Sequence, residues 1–186
     1  YFIGVDGGGS RCRVRLEDQH GKLLATASSG PANIMRNADV AEASIRQACA
    51  QAIRQSGLDI TLEQVVLCAG LAGANITGAS QAFLQRQLPF AQVHLISDLH
   101  AACAGAHRGK SGAVIVCGTG SSATRYANQT FTDFGGHGFP IGDKASGAWL
   151  GLQAIQHTLL GYDHLAPRDA VFDVVSAHFN TKQSED

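Results

Sequence analysis

The stretch that most restricts the fold is the chain's opening. A short apolar run over residues 1–6 ends at an acid, Asp6, and meets three consecutive glycines, Gly7-Gly8-Gly9. From Arg11 to Leu16 the sequence then alternates strictly, with Cys12, Val14 and Leu16 on one side and Arg11, Arg13 and Arg15 on the other. A period of two marks a half-buried strand. The two segments therefore predict a hairpin closed by a glycine-rich turn. His20-Gly21-Lys22 is a second turn and residues 23–28 a third strand, so the chain begins as an antiparallel meander of three strands.

Beyond the meander the pattern switches to helical spacing. Asp39 with Glu42 three residues on resembles a capping box. Ala41, Ile45, Ala48, Cys49, Ala52 and Ile53 then fall on one stripe, and Gly57 stands where a C-cap belongs. Residues 65–68 read as a buried strand followed by a loop, Ala69-Gly70-Leu71-Ala72-Gly73. A helix is expected over 78–88, stopped before Pro89, then a strand over 93–97 with Asp98 at its C-terminal end, a small-residue helix over 99–107 and a hinge-like turn over 108–112. A second strand-led block opens at 113–117 and runs through Gly118-Thr119-Gly120-Ser121-Ser122. It continues with two strands around Asn128-Gln129, a glycine-rich loop over 135–142, and helices over 146–160 and 169–179. Residues 181–186 read as a polar, frayed end. This order predicts an α/β fold with a mixed five-stranded sheet. The later block repeats the opening one, which implies a duplicated domain divided as 1–112 and 113–186. Two glycine turns at matching places in the two halves would make a phosphate clamp if they faced each other.

Charge narrows the partners. Lys and Arg number 14 against 15 Asp and Glu, a net charge of -1, and no basic block occurs. Nucleic acid and anionic membrane are thus poor partners. No apolar run is long enough to span a bilayer. The start, YFIGVD, enters a strand directly with no signal-peptide pattern, which sets the expectation of a cytoplasmic protein. Cys12, Cys49, Cys68, Cys103 and Cys117 are odd in number with no CxxC spacing, so they read as buried thiols in a reducing compartment. The eight histidines lack zinc-site spacing.

Four places can carry chemistry. In Asp6-Gly7-Gly8-Gly9-Ser10, small residues let backbone N–H groups point at a phosphate, Ser10 adds a hydroxyl, and Asp6 can hold Mg²⁺ directly or through water. The same residues can be a plain hairpin turn. Gly118-Thr119-Gly120-Ser121 comes directly after an apolar strand. Gly118, Gly120 and Ala123 fit a dinucleotide fingerprint, but the next segment reads as a hairpin rather than a helix, which argues against NAD. Asp98 is either a helix N-cap or a group that orients or deprotonates a hydroxyl in phosphoryl transfer. Within Gly135–Asp143, Asp143 can accept hydrogen bonds from a polyol or cap the next helix, and His137 is a site imidazole or a loop residue.

Taken together and in order, IGVDGGGS, LCAGLAGA, the strand leading to Asp98, CGTGSS and GGHGFPIGDKASGAWLG resemble the N-acetylglucosamine kinase and BadF/BadG-type ATPase family of the actin-like ATPase superfamily. PANIM, FPI and the end Ala177-His178-Phe179-Asn180 are most similar to bacterial glucosamine kinases. The resemblance implies an ATP-dependent amino-sugar kinase acting on the 6-hydroxyl of glucosamine or N-acetylglucosamine, with ATP and Mg²⁺. It implies that Gly7, Gly8, Gly9 and Ser10 form a first phosphate loop with Asp6 serving Mg²⁺. Gly118, Thr119, Gly120 and Ser121 would form a second loop. Asp98 would be catalytic, with Asn33, Gly136, His137, Gly138 and Asp143 at the sugar. Two departures fall in that sugar pocket: His137 stands where the family usually has Trp, and Gly142-Asp143-Lys144-Ala145-Ser146 replaces GDEGS. The family's chains are longer, so its adenosine-binding segment is expected outside this sequence. An ATPase that activates a partner redox enzyme and a non-catalytic sugar sensor are the rivals, and a homodimer is left open.

Overall fold

A computed structural model of the chain describes residues 1–181, and the polar end beyond Thr181 lies outside the described residues. By contact density the chain divides into two units, Tyr1–Val114 with Thr124–Phe131, and Ile115–Ala123 with Thr132–Asp186.

The first unit is built on a five-stranded sheet. Strands β1 (Phe2–Gly7), β2 (Cys12–Glu17) and β3 (Leu23–Ser29) form the expected antiparallel meander, and β4 (Val66–Leu71) and β5 (Gln92–Ser97) add in parallel to β1. The order is β3-β2-β1-β4-β5. Alternation decides which face is dry. Ile3, Val5, Cys12, Val14, Leu16, Leu67, Ala69 and Leu71 are all buried. They meet α1 (Ala38–Ser56) through Ala41, Ile45, Ala48, Cys49, Ala52 and Ile53. Each fully buried aliphatic side chain contributes about 1.5–3 kcal/mol, so this face is the main core. On the opposite face α3 (Asp98–His107) lies so close to β4 that any side chain at Gly70 would collide with Ala101.

Three boundaries differ from the sequence reading. Helix α1 is capped by Asn37, whose side chain accepts from Val40 N, and not by Asp39. Asp39 and Glu42 instead pair with Arg86. The Ala69-Gly70-Leu71 run is strand, because its register with Val5, Asp6 and Gly7 continues the parallel ladder. Helix α2 (Thr77–Leu84) ends at Gln85, short of Pro89. The Gly57 C-cap holds as expected, at φ 69°.

Strands β6 (Gly112–Cys117), β7 (Ser121–Ala127) and β8 (Thr130–Gly135) form a three-stranded sheet in sequence order, with Asn128 and Gln129 at positive φ in the turn between β7 and β8. The second unit carries α4 (Gly147–Tyr162), capped by Ser146, and α5 (Ala170–His178), capped by Asp169. Two cysteines depart from expectation. Cys68 and Cys117 are exposed, whereas Cys12, Cys49 and Cys103 are buried. Cys68 points to the sheet face away from α1, and Cys117 ends an edge strand of the smaller sheet. Among the described residues no helix is long and apolar enough to cross a membrane.

Candidate functional site

The first unit gathers its polar groups at the C-terminal ends of the parallel strands, where open α/β sheets bind ligands. In register, Asp6 of β1 lies beside Gly70 of β4, and Gly70 beside Ile96 of β5. Asp98 comes directly after β5 as the first residue of α3. With β4 between them, β1 and β5 run roughly 10 Å apart.

Asp6 is on the outward phase of β1 and its side chain is 64% exposed, 3.3 Å from Nη1 of Arg13, its cross-strand neighbour. Gly8 N donates to Arg11 O at 2.9 Å and closes the turn. Gly7 is packed so tightly that a Cβ would lie 2.5 Å from Leu71 Cδ2 and 2.9 Å from Ala32 Cβ, whereas Gly9 faces open space. Gly9 and Ser10 are exposed. The turn therefore offers bare backbone outward and is anchored inward.

That anchoring reaches two other loops. Ala72 N donates to Gly7 O (2.7 Å), Ala32 N to Gly8 O (2.9 Å) and Ile34 N to Ala72 O (3.1 Å). The glycine turn, the loop holding Asn33 and the loop after β4 are thus stitched into one block. Asn33 itself is half-buried. Its Oδ1 accepts from Met35 N (3.0 Å) and Arg36 N (2.9 Å), which leaves Nδ2 as the end that can reach a ligand.

Asp98 is not the cap of its helix. Ser97 is, through an oxygen that accepts from His100 N at 3.1 Å. Asp98 is exposed, and its carboxylate accepts from Leu99 N at 2.9 Å. With the capping task taken by Ser97, the acid is available for chemistry.

The second unit holds the other set. Gly118, Thr119, Gly120, Ser121, Gly136, Gly138 and Asp143 line one cleft of about 330 Å³. Helix α4 docks its first turn on the loop, Gly147 N to Gly118 O (2.8 Å) and Ala148 N to Thr119 O (3.1 Å). Ser121 Oγ donates to Lys144 O (2.7 Å). The carboxylate of Asp143 takes the space where Gly120 would carry a side chain, with Oδ2 2.6 Å from that position. Asp143 and Ala145 both have left-handed backbone, φ 57° and 62°, a costly conformation that concentrates at functional sites. Asp143 does not cap α4, since Ser146 Oγ accepts from Trp149 N. His137 is exposed and does not line the cleft. Lys144 instead lays its ammonium 5.8 Å from the Trp149 ring centre.

One residue that shapes the site, Ser97, was not singled out from the sequence. Ser97 was legible as a favoured cap type, but the adjacent Asp98 competes for the same assignment.

Known proteins share this layout. The glucosamine kinase of Vibrio cholerae is 43% identical over 97% of this chain and 62% of its own length. The N-acetylmuramic acid/N-acetylglucosamine kinase of Clostridium acetobutylicum is 28% identical over 100% of this chain and 62% of its own length. A solved structure from Chromobacterium violaceum, described as a candidate N-acetylglucosamine kinase, superposes with a TM-score of 0.83 at 31% identity, over 95% of this chain and 63% of that one. The chain spans 62% of the length of the curated relatives it matches. The fold is that of the actin-like ATPases. The BadF/BadG/BcrA/BcrD ATPase family matches over residues 3–180, nearly the whole chain, and the chain belongs to that family.

Proposed function

We propose that this chain supplies the acceptor- and phosphate-binding part of an ATP-dependent amino-sugar kinase, which transfers the γ-phosphate to the 6-hydroxyl of glucosamine or N-acetylglucosamine. The observation that carries the reading is the shared sheet edge, where an exposed carboxylate, Asp98, stands with the glycine turn and the Asn33 loop. The 43% identity to a glucosamine kinase supports the acceptor class.

In this reading Asp98 accepts or orients the 6-hydroxyl proton, and Asn33 donates from Nδ2 to a sugar oxygen. Gly7, Gly8, Gly9 and Ser10, and separately Gly118, Thr119, Gly120 and Ser121, bind phosphate oxygens through backbone N–H and hydroxyl groups. Gly136, Gly138 and Asp143, in the second unit's own cleft, are proposed as polyol-contacting positions, and His137 lies outside that cleft. Phosphoryl transfer depends chiefly on positioning and charge neutralisation. No group of three His, Cys, Asp or Glu able to hold a metal occurs among the described residues. One exposed carboxylate suits Mg²⁺, which keeps most of its waters and leans on substrate phosphates. Asp6 would hold it, and it would screen charge on the transferring phosphate. We assign the division of the chain to 1–112 and 113–186 and the protein to the cytoplasm.

The test is ADP release by the intact protein with Mg²⁺-ATP and glucosamine, N-acetylglucosamine, glucose or no sugar. Release dependent on an amino sugar is expected. Release without sugar, or none, overturns the reading.

A further inference from the structure

Gly73 has no role in the phosphate and sugar assignments, yet it leaves no room for a side chain against the Asn33 turn. Its backbone is left-handed, at φ 88°. A methyl there would stand 2.6 Å from Met35 Cβ, 2.9 Å from Met35 N and 3.2 Å from Asn33 Oδ1. Contacts under 3 Å force something to move, and two of these three partners have no freedom of their own. Met35 N is held by Asn33 Oδ1, and Ile34 N by Ala72 O, next to Gly73 in the chain. The group that an added methyl would push is therefore the turn that aims the Asn33 carboxamide.

We propose that Gly73 is a positioning residue for the acceptor: its missing side chain lets the Met35 backbone close down, which turns Asn33 Oδ1 inward and presents Nδ2 to the sugar. This rests on the reading of Asn33 as a sugar-contacting residue. The phosphate turn belongs to the same block, Gly7 O accepting from Ala72 N and Gly8 O from Ala32 N, but the atoms nearest an added methyl are those of Met35 and Asn33. A displaced Asn33 turn should therefore weaken the acceptor more than the nucleotide. A misplacement of about 1 Å at a positioning group is enough to cost on the order of 10²-fold.

The experiment compares Gly73→Ala with Gly78→Ala in the intact protein. Gly78 lies in α2 with nothing within 4 Å of an added methyl, so it controls for the substitution itself. With Gly73→Ala the KM for the amino sugar is expected to rise by roughly tenfold or more, while the KM for ATP rises far less. Gly78→Ala should change neither. Adding Met35→Gly to Gly73→Ala removes the nearest wall atom and should recover part of the loss. Strain from the left-handed backbone alone would not be relieved this way, because φ is unchanged. An unchanged acceptor KM, parallel rises in both KM values, or no recovery on adding Met35→Gly overturns the proposal. Should Gly73→Ala fail to fold, the double variant is read in its place. If that also fails, the glycine serves only the backbone, and the proposal is wrong. A parent protein that phosphorylates no amino sugar strikes the kinase reading itself, a result distinct from all of these.

Discussion

Asn33 has two chemically different ends, and the structure uses them differently. Its oxygen is spent on the turn, accepting from Met35 N and Arg36 N. Asn33→Asp keeps an oxygen for those donors but removes the outward amide. The variant should fold normally, and its acceptor KM should rise with little change in kcat, the signature of a lost contact that is equally strong in ground and transition states. Asp98 makes the complementary case. Asn at this position still accepts from Leu99 N, and Ser97 still caps α3. Asp98→Asn should therefore melt like the parent while kcat falls on the order of 10²–10⁴-fold. Steady-state kinetics on both variants, beside a thermal melt, decide the two assignments. An Asp98→Asn protein with parental kcat removes the catalytic role.

At the scale of elements, the start of α1 is tied to the segment after α2 by Arg86, which bonds Asp39 and Glu42, while Arg46 reaches Glu42 from one helical turn on. The hydrogen bond from Arg86 is the main reason that the Glu42 carboxyl titrates below its usual 4.5, with Arg46 adding to it against the opposing effect of burial. The folded protein thus binds that proton more weakly than the unfolded chain. The stabilisation is fully present above about pH 4.5 and is lost as pH falls through the lowered folded value. Arg86→Leu should lower Tm by a few degrees at neutral pH. The gap to the parent should close toward pH 3. A gap independent of pH would mean that Arg86 acts by packing of its stem instead.

For the whole molecule, the thiols report how unevenly packing is distributed. Burial raises the Cys12 thiol to about 11 and the Cys49 thiol to about 12, and both side chains are fully enclosed between sheet and α1. Cys103 is equally enclosed, while Cys68 and Cys117 are exposed. A thiol reagent at pH 8 should label Cys68 and Cys117 in the native protein. Cys12, Cys49 and Cys103 should react only at the rate of global unfolding. Mass spectrometry of the labelled peptides gives the pattern directly. Early labelling of Cys12 or Cys49 would show that the α1–sheet core opens locally.

Local periodicity by itself determined the meander, the buried stripe of α1, the Gly57 cap and the order of strands and helices. These features depend on which side chains can leave water together within one element, and that is written in spacing. Glycine spacing likewise marked both phosphate-loop candidates. Other features belonged to the tertiary structure alone. Whether Ala69-Gly70-Leu71 is loop or strand depended on β1 being free to pair beside it. Whether Cys68 is buried depended on which sheet face α1 covers. Asn37 caps α1 while Asp39 pairs with Arg86, far along the chain. The constraint on Gly73 comes from Met35 and Asn33, brought against it through the hydrogen bond from Ile34 to Ala72. Each of these outcomes turns on contacts between residues distant in sequence, and such contacts leave no periodic trace in either segment.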